Sequence, residues 1–350
     1  MKLVYCLLFA IYCSLLLSGC SVEKEKTYRQ TERVMGTTMT VTVVSPSERK
    51  AKDAVEAAFA EVKRLDKLLS HFSQDSELSA INRASGVNPV KVSPETLEVI
   101  KKAVDIARLT GGAFDPTIGP VVKLWDFKLK TIPAKKEIKN ALALVDYRKV
   151  RINESASEIF LEKRGMELNL GGIAKGYAAD RAVEAIKAKG IEAALVAIAG
   201  DIKGFGLNHG GIPWKVGIQN PRPVENSAGS QIPKDQEMLT TPSAGDIMAS
   251  FDLKDRAVST SGDYQRFFVK EGERYHHILN PETGQPAKGL ISVTVIASDG
   301  YMADALSTGV FVLGPERGIK LLESLGLGGI IVDSNNKISI IGDIISSEAL

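Results

Sequence analysis

Residues 39–44 alternate Met and Val with Thr, the period of a strand with one buried face. Residues 50–69 change period: apolar side chains recur three and four positions apart and predict an amphipathic helix. Ser93-Pro94 opens another helix, an N-cap followed by proline at the first helical position. It runs to about residue 109, and Gly111-Gly112 ends it. Residues 174–189 predict a helix stopped by Gly190, followed by a buried strand over 193–199. Further strands are predicted over 166–170, 214–219, 251–259, 266–270 and 291–297, helices over 301–313 and 316–325, and a closing hairpin over 329–341. Strands that pair in hairpins among interspersed helices imply an α+β fold: a single compact domain with mixed or antiparallel sheets and packed helices. Residues 225–245, rich in Ser, Gly and Pro, predict a long loop rather than a linker, and no internal repeat is present.

The first twenty residues follow a different pattern. Lys2 supplies a positive charge, and residues 3–17 form an apolar run of signal-peptide length, too short for a comfortable membrane span. It ends in Leu17-Ser18-Gly19-Cys20, small residues before a cysteine, as a lipoprotein signal peptidase requires. The expectation is a signal peptide over 1–19, a lipidated Cys20 on an exported bacterial protein, a polar tether over 20–32 and a folded domain over 33–350. The three cysteines are Cys6, Cys13 and Cys20, so the body beyond them has no thiol for a disulfide, a metal or a nucleophile. About 330 residues can bury a core large enough to do without one.

Charge narrows the functional classes. With 44 basic and 42 acidic residues the formal net charge is +2, and nothing in that balance predicts a nucleic-acid surface. Four segments carry more chemistry than a plain core needs. Gly171-Gly172-Ile173-Ala174-Lys175-Gly176 joins a strand-like segment to a helix, where free N–H groups and Lys175 suit a phosphate; a simple strand-to-helix turn reads equally well. The spacings of a P-loop and of a dinucleotide fingerprint are absent. Asp304 and Thr308, four apart, put a carboxylate and a hydroxyl side by side on one helix face. They form either part of an oxygen site for Mg²⁺, completed by phosphate and water, or a solvated face with a back-bonded threonine.

The third segment is Tyr275-His276-His277-Ile278-Leu279-Asn280-Pro281. Adjacent histidines on a strand point to opposite faces, so they do not share a metal. Four histidines and no cysteine in the body make zinc a poor candidate. One histidine is a candidate general base or phosphate-bonding group, and the other is expected at the surface. The fourth segment is 111–120, where Phe114 beside Asp115 suits a heterocycle, or else follows a helix end with Phe114 in the core.

Taken in order, these segments resemble the ApbE family of flavin transferases. The resemblance runs through Met35-Gly36-Thr37, residues 71–79 (His-Phe-Ser-Gln-Asp-Ser-Glu-Leu-Ser), 111–120, 171–180, Ser259-Thr260-Ser261-Gly262-Asp263-Tyr264, 277–284 and 304–309. It covers essentially the whole body in the family's order and spacing. It implies an enzyme that cleaves FAD, passes FMN to a threonine hydroxyl of a partner and releases AMP. The implied cofactor is Mg²⁺, with FAD as substrate. The implied partners are flavin-carrying subunits of membrane redox complexes, of the sodium-pumping NADH:quinone oxidoreductase or Rnf type. By similarity, Met35 and Phe72 flank the flavin or adenine, and Ala113, Phe114 and Asp115 line the nucleotide pocket. Asn169, Lys175 and Ile278 lie near the ligand, and Thr260, Ser261 and Gly262 hold its polar edges. Asp304 and Thr308 match the metal ligands, with a backbone oxygen near Gly172. His277 matches the catalytic histidine and leaves His276 a spectator.

This chain has Asn169, and Asn280 before Pro281, where the family commonly has Asp. Asn169 removes a charge beside the ligand; Asn280 lies in a turn that Asn and Asp serve alike. Two other readings use the same residues: a Mg²⁺-dependent FAD pyrophosphatase giving FMN and AMP, and a non-catalytic FAD-binding lipoprotein.

Overall fold

Threonine–valine alternation produces the expected strand. Thr37–Ser45 buries Met39, Val41 and Val43, and pairs with Lys26–Val34 on one side and Ala193–Ile198 on the other. The structure, a computed structural model, describes residues 25–222 and 247–342. Among these, one antiparallel sheet runs in the order Lys26–Val34, Thr37–Ser45, Ala193–Ile198, Asp201–Phe205, Ala257–Gly262, Leu290–Ala297, Gly328–Asp333 and Ile338–Ile341.

Successive residues on a strand face opposite ways, and here both faces are covered. Ala194, Val196, Val293 and Val295 pack with the helices Glu48–Leu69, Ala174–Ala188 and Gly300–Leu313. Ala193, Val258 and Ile296 pack instead with Trp214, Val216 and Phe251 of the pair Trp214–Gln219 and Ile247–Leu253. Leu290–Ala297 is therefore buried along its whole length, which is why it reads as a continuous apolar run. The fold is a single α+β domain, as the pattern implies. The helix beginning at Pro94 has the expected cap, with Ser93 Oγ accepting from the Thr96 N–H.

Three expectations change. Residues 26–32, assigned to a tether, form most of the edge strand Lys26–Val34, whose backbone pairs along Thr37–Ser45; its polar side chains suit an exposed edge. The strand expected over 251–259 is two strands, Ile247–Leu253 and Ala257–Gly262, separated by a turn with Asp255 at φ 52°. Residues 166–170 are extended but form no ladder, because loops and a side chain take their backbone groups. Asn82 Nδ2 donates to Leu168 O (3.0 Å), its Oδ1 accepts from Leu168 N (2.7 Å), and Asn169 N donates to Pro116 O (2.7 Å). Cys20, the signal segment and the loop expected over 225–245 lie essentially outside the described residues. Among the described residues no helix is long and apolar enough to cross a membrane.

Candidate active site

Two helices begin against each other. A Cβ on Gly176 would lie 2.1 Å from Gly300 O, and one on Gly300 would lie 2.4 Å from Gly176 O, so only glycine fits either place. Asp180 locks the crossing from the next turn: its carboxylate accepts from Gly300 N (2.7 Å) and Tyr301 N (3.0 Å), capping the second helix. One turn further on, Asp304 is buried at 3% exposure and its Oδ2 accepts from Gly176 N at 3.0 Å.

Lys175 sits between two carboxylates. Its Nζ bonds Asp201 and lies 3.7 Å from Asp304, while Asp201 also accepts from Ser259 Oγ. Thr308, on the face of Asp304, has its Oγ1 3.3 Å from Ser261 Oγ. At Gly172 a Cβ would approach Thr308 Oγ1 to 3.2 Å and the Phe114 ring to 3.3 Å, so the glycine lets that loop close on the threonine. Burial first, and then the Asp201 charge, push the Asp304 carboxyl well above the usual range, against the opposing pull of Lys175 and the Gly176 N–H. Burial works against the Lys175 ammonium, yet the Asp201 and Asp304 charges outweigh it and hold the lysine firmly protonated. One ammonium against two buried carboxylates leaves this pocket short of positive charge.

That shortage is the test of a metal here. Asp304, Thr308 and the carbonyl of Gly172 are hard oxygen donors, and the charge deficit suits a divalent cation. The residues present fit Mg²⁺ in donor type and charge. No group of three or more His, Cys, Asp and Glu side chains gathers for a metal among the described residues, so phosphate and water oxygens must complete the shell.

The adjacent histidines do face opposite ways, but neither is a surface residue. His276, expected as the surface member, is 4% exposed: Nε2 meets Ala287 O at 2.9 Å and the ring stands edge-on to Phe311 at 5.4 Å. Packing against Ala287 and against Phe311 of the Gly300–Leu313 helix claims it. His277 faces the cavity, with its N–H donated to Arg266 O at 3.1 Å and its Nδ1 buried with no partner among the described residues. Burial first, with neighbouring positive charges, pulls its pKa down to about 4, so the imidazole is neutral at physiological pH.

These groups share a cavity of about 1050 Å³, large enough for a dinucleotide. Gly172, Lys175, Ser261, His277, Asp304 and Thr308 line it. Phe72, Ala113, Phe114, Asp115, Asn169, Thr260 and Ile278 line it as well, with Phe114 and Asn169 against the Gly171-Gly172 loop. Met35 and Gly262 do not line it: Met35 occupies a hairpin turn at φ 51°, and Gly262 lies against the Tyr264 ring. Asp115 spends its oxygens on the loop, Oδ1 accepting from Thr117 N (2.8 Å) and Oγ1 (2.6 Å), Oδ2 from Tyr147 N (3.1 Å). Asn169 Oδ1 accepts from Gly171 N at 2.9 Å, a bond an aspartate could also make. Sequence reasoning did not single out Asp201, Arg266, His71 or Trp125, all of which line the cavity. For Asp201 a signal existed, a lone carboxylate directly after an apolar strand; Arg266 lies two residues past the Ser259–Tyr264 segment.

A cavity floored by a glycine-locked helix pair, with a carboxylate–hydroxyl pair and a neutral histidine, defines a nucleotide-handling site. The ApbE family model matches residues 35–331, and the chain belongs to the ApbE family. A Treponema pallidum protein named FAD:protein FMN transferase is 34% identical over 314 residues, covering 84% of this chain and 81% of that one. A Vibrio cholerae protein of the same name is 31% identical over 325 residues, covering 91% of this chain and 90% of its own. The crystal structure of a Thermotoga maritima ApbE protein superposes with a TM-score of 0.78 at 34% identity, over 90% of this chain and 97% of that one.

Proposed function

We propose that this chain is an FAD:protein FMN transferase that uses Mg²⁺, passes FMN to a threonine hydroxyl and releases AMP. The observation that carries this reading is one cavity that holds Asp304, Thr308, Lys175 and a neutral His277 in a chain of the ApbE family. The relatives' shared name supports the flavin donor.

Asp304, Thr308 and the Gly172 carbonyl would hold Mg²⁺, which when bound supplies charge neutralisation at the pyrophosphate. Lys175, fixed by Asp201, adds a cation beside it. The threonine oxygen bonds the FMN-side phosphorus, the bond from that phosphorus to the bridging oxygen breaks, and AMP leaves with the electron pair. His277 takes the threonine proton, a task that a neutral, desolvated imidazole performs and a protonated one does not. No protein nucleophile is needed, in keeping with a body without cysteine. Ala113, Phe114 and Asp115 would shape the nucleotide end, and Phe72 would cover the flavin.

The test is incubation with FAD, Mg²⁺ and threonine-bearing subunits of sodium-pumping NADH:quinone oxidoreductase or Rnf-type complexes, read by intact mass. The expected result is an acceptor heavier by one FMN with AMP released. FMN and AMP without a modified acceptor would replace transfer by FAD hydrolysis. The Leu17-Ser18-Gly19-Cys20 sequence supports a lipid anchor at Cys20 on an exported protein. With the first strand starting at Lys26, the leash from Cys20 spans at most about 20 Å, which holds the enzyme close to membrane-bound acceptors. Cys20→Ser should shift the chain from the membrane to the soluble fraction while its chemistry in vitro persists; unchanged fractionation would remove the anchor.

A further inference from the structure

Four Lys and Arg side chains line the cavity: Arg83, Lys123, Lys175 and Arg266. Three have oxygen partners. Arg83 donates to Gln74 O (2.6 Å), Lys123 pairs with Glu167 (2.6 Å), and Lys175 is held by Asp201 and Asp304. Arg266 differs: among the described residues no carboxylate lies within ion-pair distance of it, and its guanidinium lies 5.1 Å from the centroid of the Phe127 ring. Its backbone is fixed as well, because Arg266 O accepts the His277 N–H at 3.1 Å. Burial first, with the Arg266 charge added to it, lowers the pKa of both His71 and His277.

An aromatic face under a guanidinium orients its N–H fork without neutralising it. A cation presented to a cavity in this way is complementary to an anion that the free protein does not contain. Charge balance points the same way. Two buried carboxylates set against Lys175 and one divalent cation leave a single positive charge to face a doubly anionic pyrophosphate. We propose that Arg266 is a substrate-binding residue, donating to the pyrophosphate of FAD across the cavity from Asp304 and Lys175. This rests on the transferase reading and deepens it by naming the group that meets the remaining phosphate charge. As the P–O bond breaks, the negative charge on departing AMP grows, so the same donors serve the transition state at least as well as bound FAD.

The experiment is fluorescence titration of the full chain at fixed Mg²⁺ with two probes, FAD and riboflavin, which has the ring system and no phosphate. For R266Q the expected result is FAD affinity lowered about 10-fold to 100-fold, the range of one or two charge-assisted hydrogen bonds, with riboflavin affinity unchanged. R266K should recover part of the loss, since an ammonium keeps the charge but not the fork. Equal losses for both probes would make Arg266 a support for the Phe127 wall and overturn the proposal. Unchanged FAD affinity, with only the pH profile of transfer displaced, would also overturn it. If the unmodified chain binds riboflavin but not FAD, the transferase reading falls as well, which separates that failure from the failure of Arg266 alone.

Discussion

The two ends of the cavity are built on different principles. At the phosphate end, Gly176 and Gly300 bring two helices into backbone contact, Asp180 caps one from the other, and Asp304 accepts a buried N–H. At the exposed rim, Phe72 stands 82% exposed with its ring 3.8 Å from that of His71. Trp125 and Phe127 on a loop, with Phe268 and Tyr275 of the hairpin Phe267–Lys270 and Glu273–His276, form an aromatic cluster, tied down where Trp125 Nε1 donates to Gly284 O at 3.0 Å. The contrast follows from the chemistry each end serves. Charge stabilisation depends on donors fixed before the reaction, which requires buried backbone geometry. A planar ring system, and an acceptor that must enter and leave, need contact area and an opening.

The sharpest way to break this comparison is to add one methyl group to the rigid end. Gly176→Ala places a Cβ against the Gly300 carbonyl, and neither helix backbone can move without displacing Asp304. The expected loss is about 3 kcal/mol of stability, a melting midpoint lower by roughly 5 °C, together with loss of transfer. A melt within 2 °C of the unmodified chain would show that the junction is not rigid. Asp304→Ala removes the carboxylate on which the metal reading depends. It should lower flavinylation by more than about 1,000-fold and bring FAD affinity in Mg²⁺ down to its Mg²⁺-free level. Asp304→Asn separates the two duties, since it keeps an acceptor for Gly176 N while losing the charge. It should melt near the unmodified chain and still fail to transfer. Full transfer by either variant would end the metal assignment.

The sequence exposed these ends unequally. Periodicity revealed the central strand and the helices from 48, 94, 174 and 300, because a burial pattern repeats over many residues. It did not show that the helices at 174 and 300 touch, since that contact joins positions more than a hundred residues apart through two glycines. Asp201 escaped for the same reason: its meaning lies in Lys175 and Ser259, which are distant in sequence. His276 looked like a surface residue because strand alternation alone does not reveal that Ala287 and Phe311 cover its face. The edge strand from Lys26 was hidden by its polar composition, which also suits a tether.

His277 belongs to neither extreme: the residue lines the cavity while its Nδ1 is buried without a partner among the described residues. His277→Ala should bind FAD within about threefold of the unmodified chain and transfer about 100-fold to 10,000-fold more slowly. Transfer at the unmodified rate would leave it a structural residue. Its pKa adds a second check. An unfolded imidazole takes up a proton below about 6.5, while the folded one stays neutral down to about 4. Between those values the unfolded state binds more protons, so stability falls as pH falls, by up to ~1.4 kcal/mol per pH unit from this group. His277→Asn should flatten the urea-measured slope between pH 6.5 and 4.5, and an unchanged slope would show that the ring is not desolvated.

The smallest effect is expected at the exposed rim, and it is the one that sharpens the contrast. Phe72→Ala removes an exposed ring whose neighbour is His71, with no core contact to collapse. Its melting midpoint should stay within about 1 °C, as for most surface substitutions. Stacking on a flavin or adenine is worth roughly 1–3 kcal/mol per ring when fully formed, and an open rim gains only the lower part of that range. The expected change is therefore an FAD KM raised about fivefold with kcat nearly unchanged, because the ring meets substrate and transition state alike. A fall in kcat as large as that of His277→Ala would mean that the rim closes over the reacting phosphate, and the two ends of the cavity would then be one mechanical unit.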